Sequence, residues 1–273
     1  MSNLVEIRDL RVDFPTTAGF THAVRGVSFS LGREKLGIVG ESGSGKSVTG
    51  RALMRLLPEA ARVRAGALRF DGIDVLNASE RQMRGLRGGR IGLVMQDPKF
   101  SLNPVMTIGR QIAEAWLAHQ KGGQREAREA ALNLLEQVRI RDPRRVLDSY
   151  PHEVSGGMAQ RILIAGAVSC DPELIIADEP TSSLDVTVQA EVLDLLRDLQ
   201  RERGLALLLV THNFGVVADL CDRVAVMRSG EIVEEGEVAE VLDRPQHEYT
   251  RSLLAAILDE DGPARPALTA VGR

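Results

Sequence analysis

Two segments of this 273-residue chain combine residue types that could do chemistry on a phosphate ester. GESGSGKS, residues 40–47, fits the phosphate-loop pattern G-x-x-x-x-G-K-[ST]. Gly40, Gly43 and Gly45 let the backbone take positive φ and turn its amides inward, a nest for a β-phosphate at a helix N-terminus. Lys46 adds a positive charge between β- and γ-phosphates. The Ser47 hydroxyl suits Mg²⁺, which prefers oxygen ligands and keeps several waters. Glu41, Ser42, Ser44 and Val48 complete the run expected to surround a nucleotide such as ATP. LIIADEP, residues 174–180, then delivers two carboxylates after four aliphatic residues. Asp178 is placed to hold the Mg²⁺ shell, and Glu179, pointing differently, could orient or deprotonate an attacking water.

Such groups need rigid strands to hold them. KLGIVG (35–40), IGLVMQ (91–96), LIIA (174–177) and LALLLV (205–210) are short continuous apolar runs, as expected for strands buried on both faces. Residues 4–14 and 23–31 alternate apolar and polar side chains, and ALRFDGIDV turns at Asp71-Gly72, so an antiparallel N-terminal region is expected. Helical spacing runs over 48–57, 108–119, 125–138, 159–168 and 186–203, the last closed by Gly204. RVAVM and EIVEEG read as a hairpin around Ser229-Gly230. Strands alternating with helices imply a parallel core sheet with right-handed crossovers, an α/β fold of phosphate-loop type. The expected organisation is one domain over 1–260 with a helical subdomain inserted at about 98–167, a C-terminal extension over about 231–260, and a flexible tail at 261–273.

The bulk numbers narrow the class. Lys plus Arg number 34 against 38 Asp plus Glu, a net charge of -4, which is too mild and of the wrong sign for a dedicated nucleic-acid binder. No apolar run approaches a membrane span, and MSNLVEIRDL lacks the pattern of a secretion signal, so a cytoplasmic chain is expected. Cys170 and Cys221 lie far apart in apolar surroundings and read as two buried thiols. Trp116 is expected in the core, and the arginines of RQMRGLRGGR (81–90) in a solvated loop.

A phosphate loop alone leaves kinases, GTPases and motor proteins open. VSGGMAQR, residues 154–161, narrows the field, because it resembles the signature of ATP-binding-cassette (ABC) ATPases and precedes the Asp-Glu strand as in that family. Ser155, Gly156 and Gly157 at a helix start offer a hydroxyl, backbone amides and a positive dipole end. Gln96 in MQDP matches the family's Gln loop, Asp185 in SLD its D-loop, and His212 in THN its switch histidine. Phe14 has two readings, an aromatic stacked on adenine or a strand-end side chain packed into the core.

The resemblance covers about residues 4–258 and implies a head-to-tail dimer in which Ser155 of one chain meets the γ-phosphate held by the other. By the same resemblance Glu179 polarises the water, His212 contacts the γ-phosphate, Gln96 links metal and water to a membrane partner, and Asp185 communicates across the dimer. QDPKFSLNP, YPHEVSGGM and RPQHEYTRSLLAA are similar to the importer ATPases for peptides and nickel, which implies two permease subunits and an external binding protein. Met158 in place of the more usual Gln implies a related but different partner ATPase, and the implied location is the inner face of the cell membrane. The rivals are an exporter ATPase or a cassette ATPase of DNA repair or translation; nothing between Ser47 and Val154 sustains the heptads of the repair type.

Overall fold

A computed structural model describes residues 3–17 and 19–260, so the expected tail at 261–273 lies outside the described residues. Two sheets make the frame. In the first, β1 (Val5–Thr16) pairs antiparallel with β2 (Gly19–Leu31), and its other edge with β4 (Arg62–Arg64) and β5 (Ala67–Phe70). β6 (Ile73–Asp74) follows β5 through Asp71 and Gly72, both at positive φ (46° and 75°), the geometry of a tight hairpin. The alternating segments at the N-terminus thus build a sheet of their own.

The second sheet has the order β11-β10-β3-β9-β8-β7. Its strands β3 (Lys35–Val39), β7 (Ile91–Val94), β8 (Leu174–Asp178), β9 (Ala206–Thr211) and β10 (Arg223–Arg228) run parallel, and β11 (Glu231–Glu237) returns antiparallel through the Ser229-Gly230 turn. The continuous apolar runs have a simple cause: successive residues feed different cores. In β8, Leu174 and Ile176 join a cluster with the antiparallel sheet and α1 (Lys46–Leu53), while Ile175 and Ala177 join one with the helical insert and α8 (Val186–Arg203). A polar residue at any of these positions would be buried without a partner.

Residues 98–167 hold the helices α3 (Pro98–Ser101), α4 (Ile108–Leu117), α5 (Gln124–Gln137), α6 (Pro143–Asp148) and α7 (Gly156–Ala167). α8 buries Val192, Leu195, Leu196 and Leu199 and ends at Gly204 with φ 60°. After it come α9 (Phe214–Leu220), α10 (Val238–Asp243) and α11 (Glu248–Glu260).

The structure corrects three expectations. The arginine run is not a solvated loop: Glu80–Leu86 form α2, started by a reciprocal Ser79–Gln82 capping box. Arg90 Nε donates to Glu173 at 2.5 Å, and Arg87 Nε to the Met54 carbonyl at 2.7 Å. Only Arg81 and Arg84 of the four are exposed, because the other two are spent holding α1 and β8 to their neighbours. α1 ends at Leu53, short of Leu57, since Arg55 turns to φ 50° and Leu56 N–H bonds back to Arg51. Trp116 is half-buried, lying over the turn at Gly122, where an added Cβ would stand 2.8 Å from its ring. Both cysteines are buried free thiols, and burial pushes Cys221 up to about 12.

Candidate active site

The phosphate loop joins β3 to α1, and its glycines are demanded by neighbours as well as by φ. A Cβ on Gly40 would stand 2.0 Å from the Met227 carbonyl oxygen, and one on Gly45 2.3 Å from that of Ala23. Gly43, at φ 81°, meets nothing within 4 Å and leaves the cradle open. The loop is braced from behind, since Gly230 N–H donates to the Ser44 carbonyl at 2.9 Å and Arg25 N–H to that of Gly230 at 2.7 Å. Within it, Ser44 Oγ is buried and has no hydrogen-bond partner among the described residues.

Lys46 is 6% exposed and donates from Nζ to the carbonyls of Gly40 (2.7 Å) and Glu41 (2.9 Å). Burial lowers its pKa, against the pull of Glu179, Asp178 and Glu41, whose negative charges favour the ammonium. Ser47 Oγ donates to Asp178 Oδ1 at 2.6 Å, so residues 131 apart in sequence form one oxygen-rich corner. Arg51 donates to Asp178 Oδ2 at 3.0 Å, a partner that motif spacing does not reveal because it lies one helical turn beyond the motif.

Glu179 follows directly from β8 in a left-handed conformation, φ 51°, with its N–H donating to the Val210 carbonyl of β9 at 2.8 Å. A non-glycine residue held there is strained by an amount on the order of 1–3 kcal/mol, a feature that concentrates at functional positions. Its carboxylate accepts from His212 Nδ1 at 2.8 Å. A carboxylate only accepts, so the His212 proton sits on Nδ1 and Nε2 is left for another partner. Adjacent parallel strands β8 and β9 thus deliver the acid and the histidine together at the C-terminal edge of the sheet, where ligands of open α/β sheets collect.

The other expected residues stand apart from this cluster. Gln96 is exposed in the bend after β7, and among the described residues no hydrogen bond joins it to Ser47 or Asp178. Phe14 is half-buried and packs against the core of the antiparallel sheet. Asp185 caps α8, accepting from Val188 N–H at 3.0 Å. Ser155 caps α7 in the same way, its Oγ accepting from Met158 N–H at 3.3 Å. Gly157 is needed for close packing, since an added Cβ would lie 2.4 Å from Val188. Ser155, Gly157 and Met158 line a cavity of about 340 Å³ with Arg139, Arg161 and Glu191, and no residue of 40–47 belongs to its lining.

Strand, glycine loop and helix, with a second parallel strand, one further along the sheet beyond β9, that ends at Asp178 and hands on to Glu179, define a phosphate-loop nucleotide hydrolase. Similarity to known proteins goes further. Residues 24–182 match the ABC transporter family. The chain is 51% identical over 258 residues to a probable peptide ABC transporter ATP-binding protein of Sinorhizobium fredii, covering 94% of this chain and 77% of that one. It is 45% identical over 273 residues to the oligopeptide transport ATP-binding protein of Bacillus subtilis, covering 99% and 76%. Among solved structures, a dimeric ATP-binding cassette in a post-hydrolysis state with ADP and Pi superposes with a TM-score of 0.77 at 26% identity, over 86% of this chain and 98% of that one. A Clostridium perfringens component of the ABC transporter complex cbiONQ gives 0.74 at 26%, over 94% and 100%. The chain belongs to the ABC transporter family and is an ATP-binding cassette, an ATPase.

Proposed function

We propose that this cassette energises a peptide importer, pairing with a second, related ATPase chain against two permease subunits on the inner face of the membrane. The observation that carries this reading is the separation of its two phosphate-binding surfaces. The glycine loop with Asp178 and Glu179 forms one half-site, and the start of α7 another whose cavity includes none of the loop. A head-to-tail pair would bring each α7 start to the loop of the other chain. The names borne by the relatives, which are peptide and oligopeptide transport proteins, favour peptide over nickel as cargo. No helix among the described residues is long and apolar enough to cross a membrane, which fits a role at the surface of separate permease subunits.

The residues present fit magnesium nucleotide. No cluster of three or more His, Cys, Asp or Glu among the described residues could cage a metal, and the Ser47 hydroxyl with the Asp178 carboxylate is the partial oxygen shell that Mg²⁺ takes when phosphates and waters complete it. Bound there, Mg²⁺ would neutralise charge on the β- and γ-phosphates. The orphaned Ser44 hydroxyl and the open face of Gly43 suit phosphate oxygens. Lys46 would exchange loop carbonyls for phosphate oxygens. Glu179 would accept hydrogen bonds from the attacking water, with His212 Nδ1 holding its carboxylate. Nε2 of His212 would meet the γ-phosphate, and Gln96 would sense it from the β7 end. Loss of the γ-phosphate removes the group both half-sites grip, so the pair separates.

The Gly157→Ala variant tests the sandwich. The forced displacement of Val188 is expected to leave nucleotide affinity of the isolated chain unchanged while ATPase activity of the paired cassettes falls by about 2–3 orders of magnitude, the range of a lost transition-state contact. Equal losses in binding and turnover, measured by nucleotide titration and phosphate release, would contradict a half-site role for α7.

Coupling to the permease is proposed at the groove between β7 and the helical insert, lined by Leu56, Leu93, Leu102, Ile112 and Leu163. Beside it, Phe100 is 91% and Val105 79% exposed, apolar surface expected to be covered by a short permease helix. Phe100→Asp is expected to preserve the basal ATPase of the paired cassettes without permease and to abolish peptide uptake by the assembled transporter. Normal uptake by vesicles carrying the variant would move the coupling surface elsewhere.

A further inference from the structure

The C-terminal extension reaches the phosphate loop. Glu234 of β11 accepts from the N–H groups of Gln246 (2.7 Å) and His247 (3.1 Å), which fastens the start of α11 to the main sheet. Tyr249 N–H then donates to His247 Nδ1 at 3.1 Å and sets the first turn. The Tyr249 side chain is 7% exposed, and its ring lies under the guanidinium of Arg228, 4.7 Å from the centroid. Arg228 ends β10, next to the Met227 carbonyl that crowds Gly40. The Tyr249 hydroxyl accepts from the N–H of Glu41 at 3.3 Å. The carbonyl of that same residue accepts from Lys46 Nζ. Glu41 is therefore held at its N–H by the extension and at its carbonyl by the phosphate-binding lysine.

We propose that Tyr249 is a positioning residue for the phosphate loop, through which the C-terminal extension keeps the loop in its nucleotide-receiving shape. The physical reason is preorganisation. Glu41 is exposed, so its amide could turn to water at little cost, and the turn preceding Lys46 would then sample more conformations. Nucleotide binding would have to order it again, and that ordering appears as lost affinity. The hydroxyl meets the loop at the Glu41 N–H, five residues before Lys46, and bonds to neither Lys46, Ser47 nor Glu179, so turnover at saturation is expected to be unaltered. Burial raises the Tyr249 pKa, which keeps the phenol neutral across the working range of pH.

This inference rests on the reading of the loop as an ATP site, and its test separates the two. In the full chain, Tyr249→Phe keeps the ring beneath Arg228 and deletes only the hydroxyl. Titration with a fluorescent mant-ATP analogue and Mg²⁺ is expected to show a Kd raised roughly two- to tenfold, the worth of one hydrogen bond. The ATPase KM should rise in parallel, with kcat and the number of binding sites unchanged. A purely packing role would lower kcat and site number through inactive protein while leaving Kd alone; that outcome, or an unaltered Kd, overturns the proposal. Should the variant not fold, hydrogen exchange on the nucleotide-free wild type decides it. Slow exchange of the Glu41 amide supports the proposal, and exchange as fast as that of Gly43 in the open cradle rejects it. Wild-type chain that fails to bind mant-ATP at all would instead remove the ATP reading, and this inference with it.

Discussion

Glu179→Gln is expected to lower ATPase turnover by about 10²–10⁴-fold, the usual contribution of a positioned general base, while ATP still binds. Glutamine conserves the size of the side chain and can still accept from His212 Nδ1, so the tie between the β8 and β9 ends survives. What disappears is the negative charge that would draw a proton from water. With the γ-phosphate uncleaved, the paired cassettes are expected to stay closed, and sedimentation of the variant together with its partner ATPase and ATP is expected to show a persistent dimer that ADP does not support. Turnover within a few-fold of wild type would assign the water to another group. The positive φ of Glu179 is a backbone property that glutamine shares, so a change confined to the side-chain terminus is expected to alter chemistry far more than stability.

Lys46→Ala is the second large effect. One charge-assisted hydrogen bond is worth about 1.5–3 kcal/mol, so the variant is expected to bind ATP at least about tenfold more weakly and to lose measurable ATPase activity. The buried lysine also holds the loop to itself through the carbonyls of Gly40 and Glu41. Its removal therefore loosens the cradle as well as deleting a charge. Nucleotide titration and phosphate release check both halves of the expectation, and unaltered turnover would sink the assignment of the loop. Because burial lowers the Lys46 pKa, its charge in the nucleotide-free chain is lost at a lower pH than that of an ordinary lysine, and nucleotide affinity is expected to fall correspondingly early as pH rises.

Much of the site is legible in the sequence because its logic is local. Gly40–Ser47 needs only a strand before it and a helix after it, and both announce themselves in the flanking apolar pattern. Asp178 and Glu179 are legible for the same reason, standing where four aliphatic residues end. Residues 81–90 mislead because four arginines without obvious partners look solvated; Arg90 finds Glu173 only once β7 and β8 are neighbours. Arg51 is hidden in the same way, since its partner Asp178 lies on a strand more than a hundred residues away. Asp185 shows the opposite limit: its place in the motif is plain, yet within one chain it does the ordinary work of capping α8.

The sequence by itself determined the class of chemistry, the alternation of strands and helices, and the phosphate-loop motif with the Asp-Glu pair proposed to serve it. All of these depend on residues within a turn or two of one another, where periodicity and side-chain type act directly. Only the tertiary structure decided which distant residues share a hydrogen bond: Ser47 with Asp178, His212 with Glu179, and Glu41 with Tyr249, 208 positions away. Strand order sets those meetings, and it follows from how two apolar cores are buried on the two faces of one sheet, a property of the whole chain that no short segment contains.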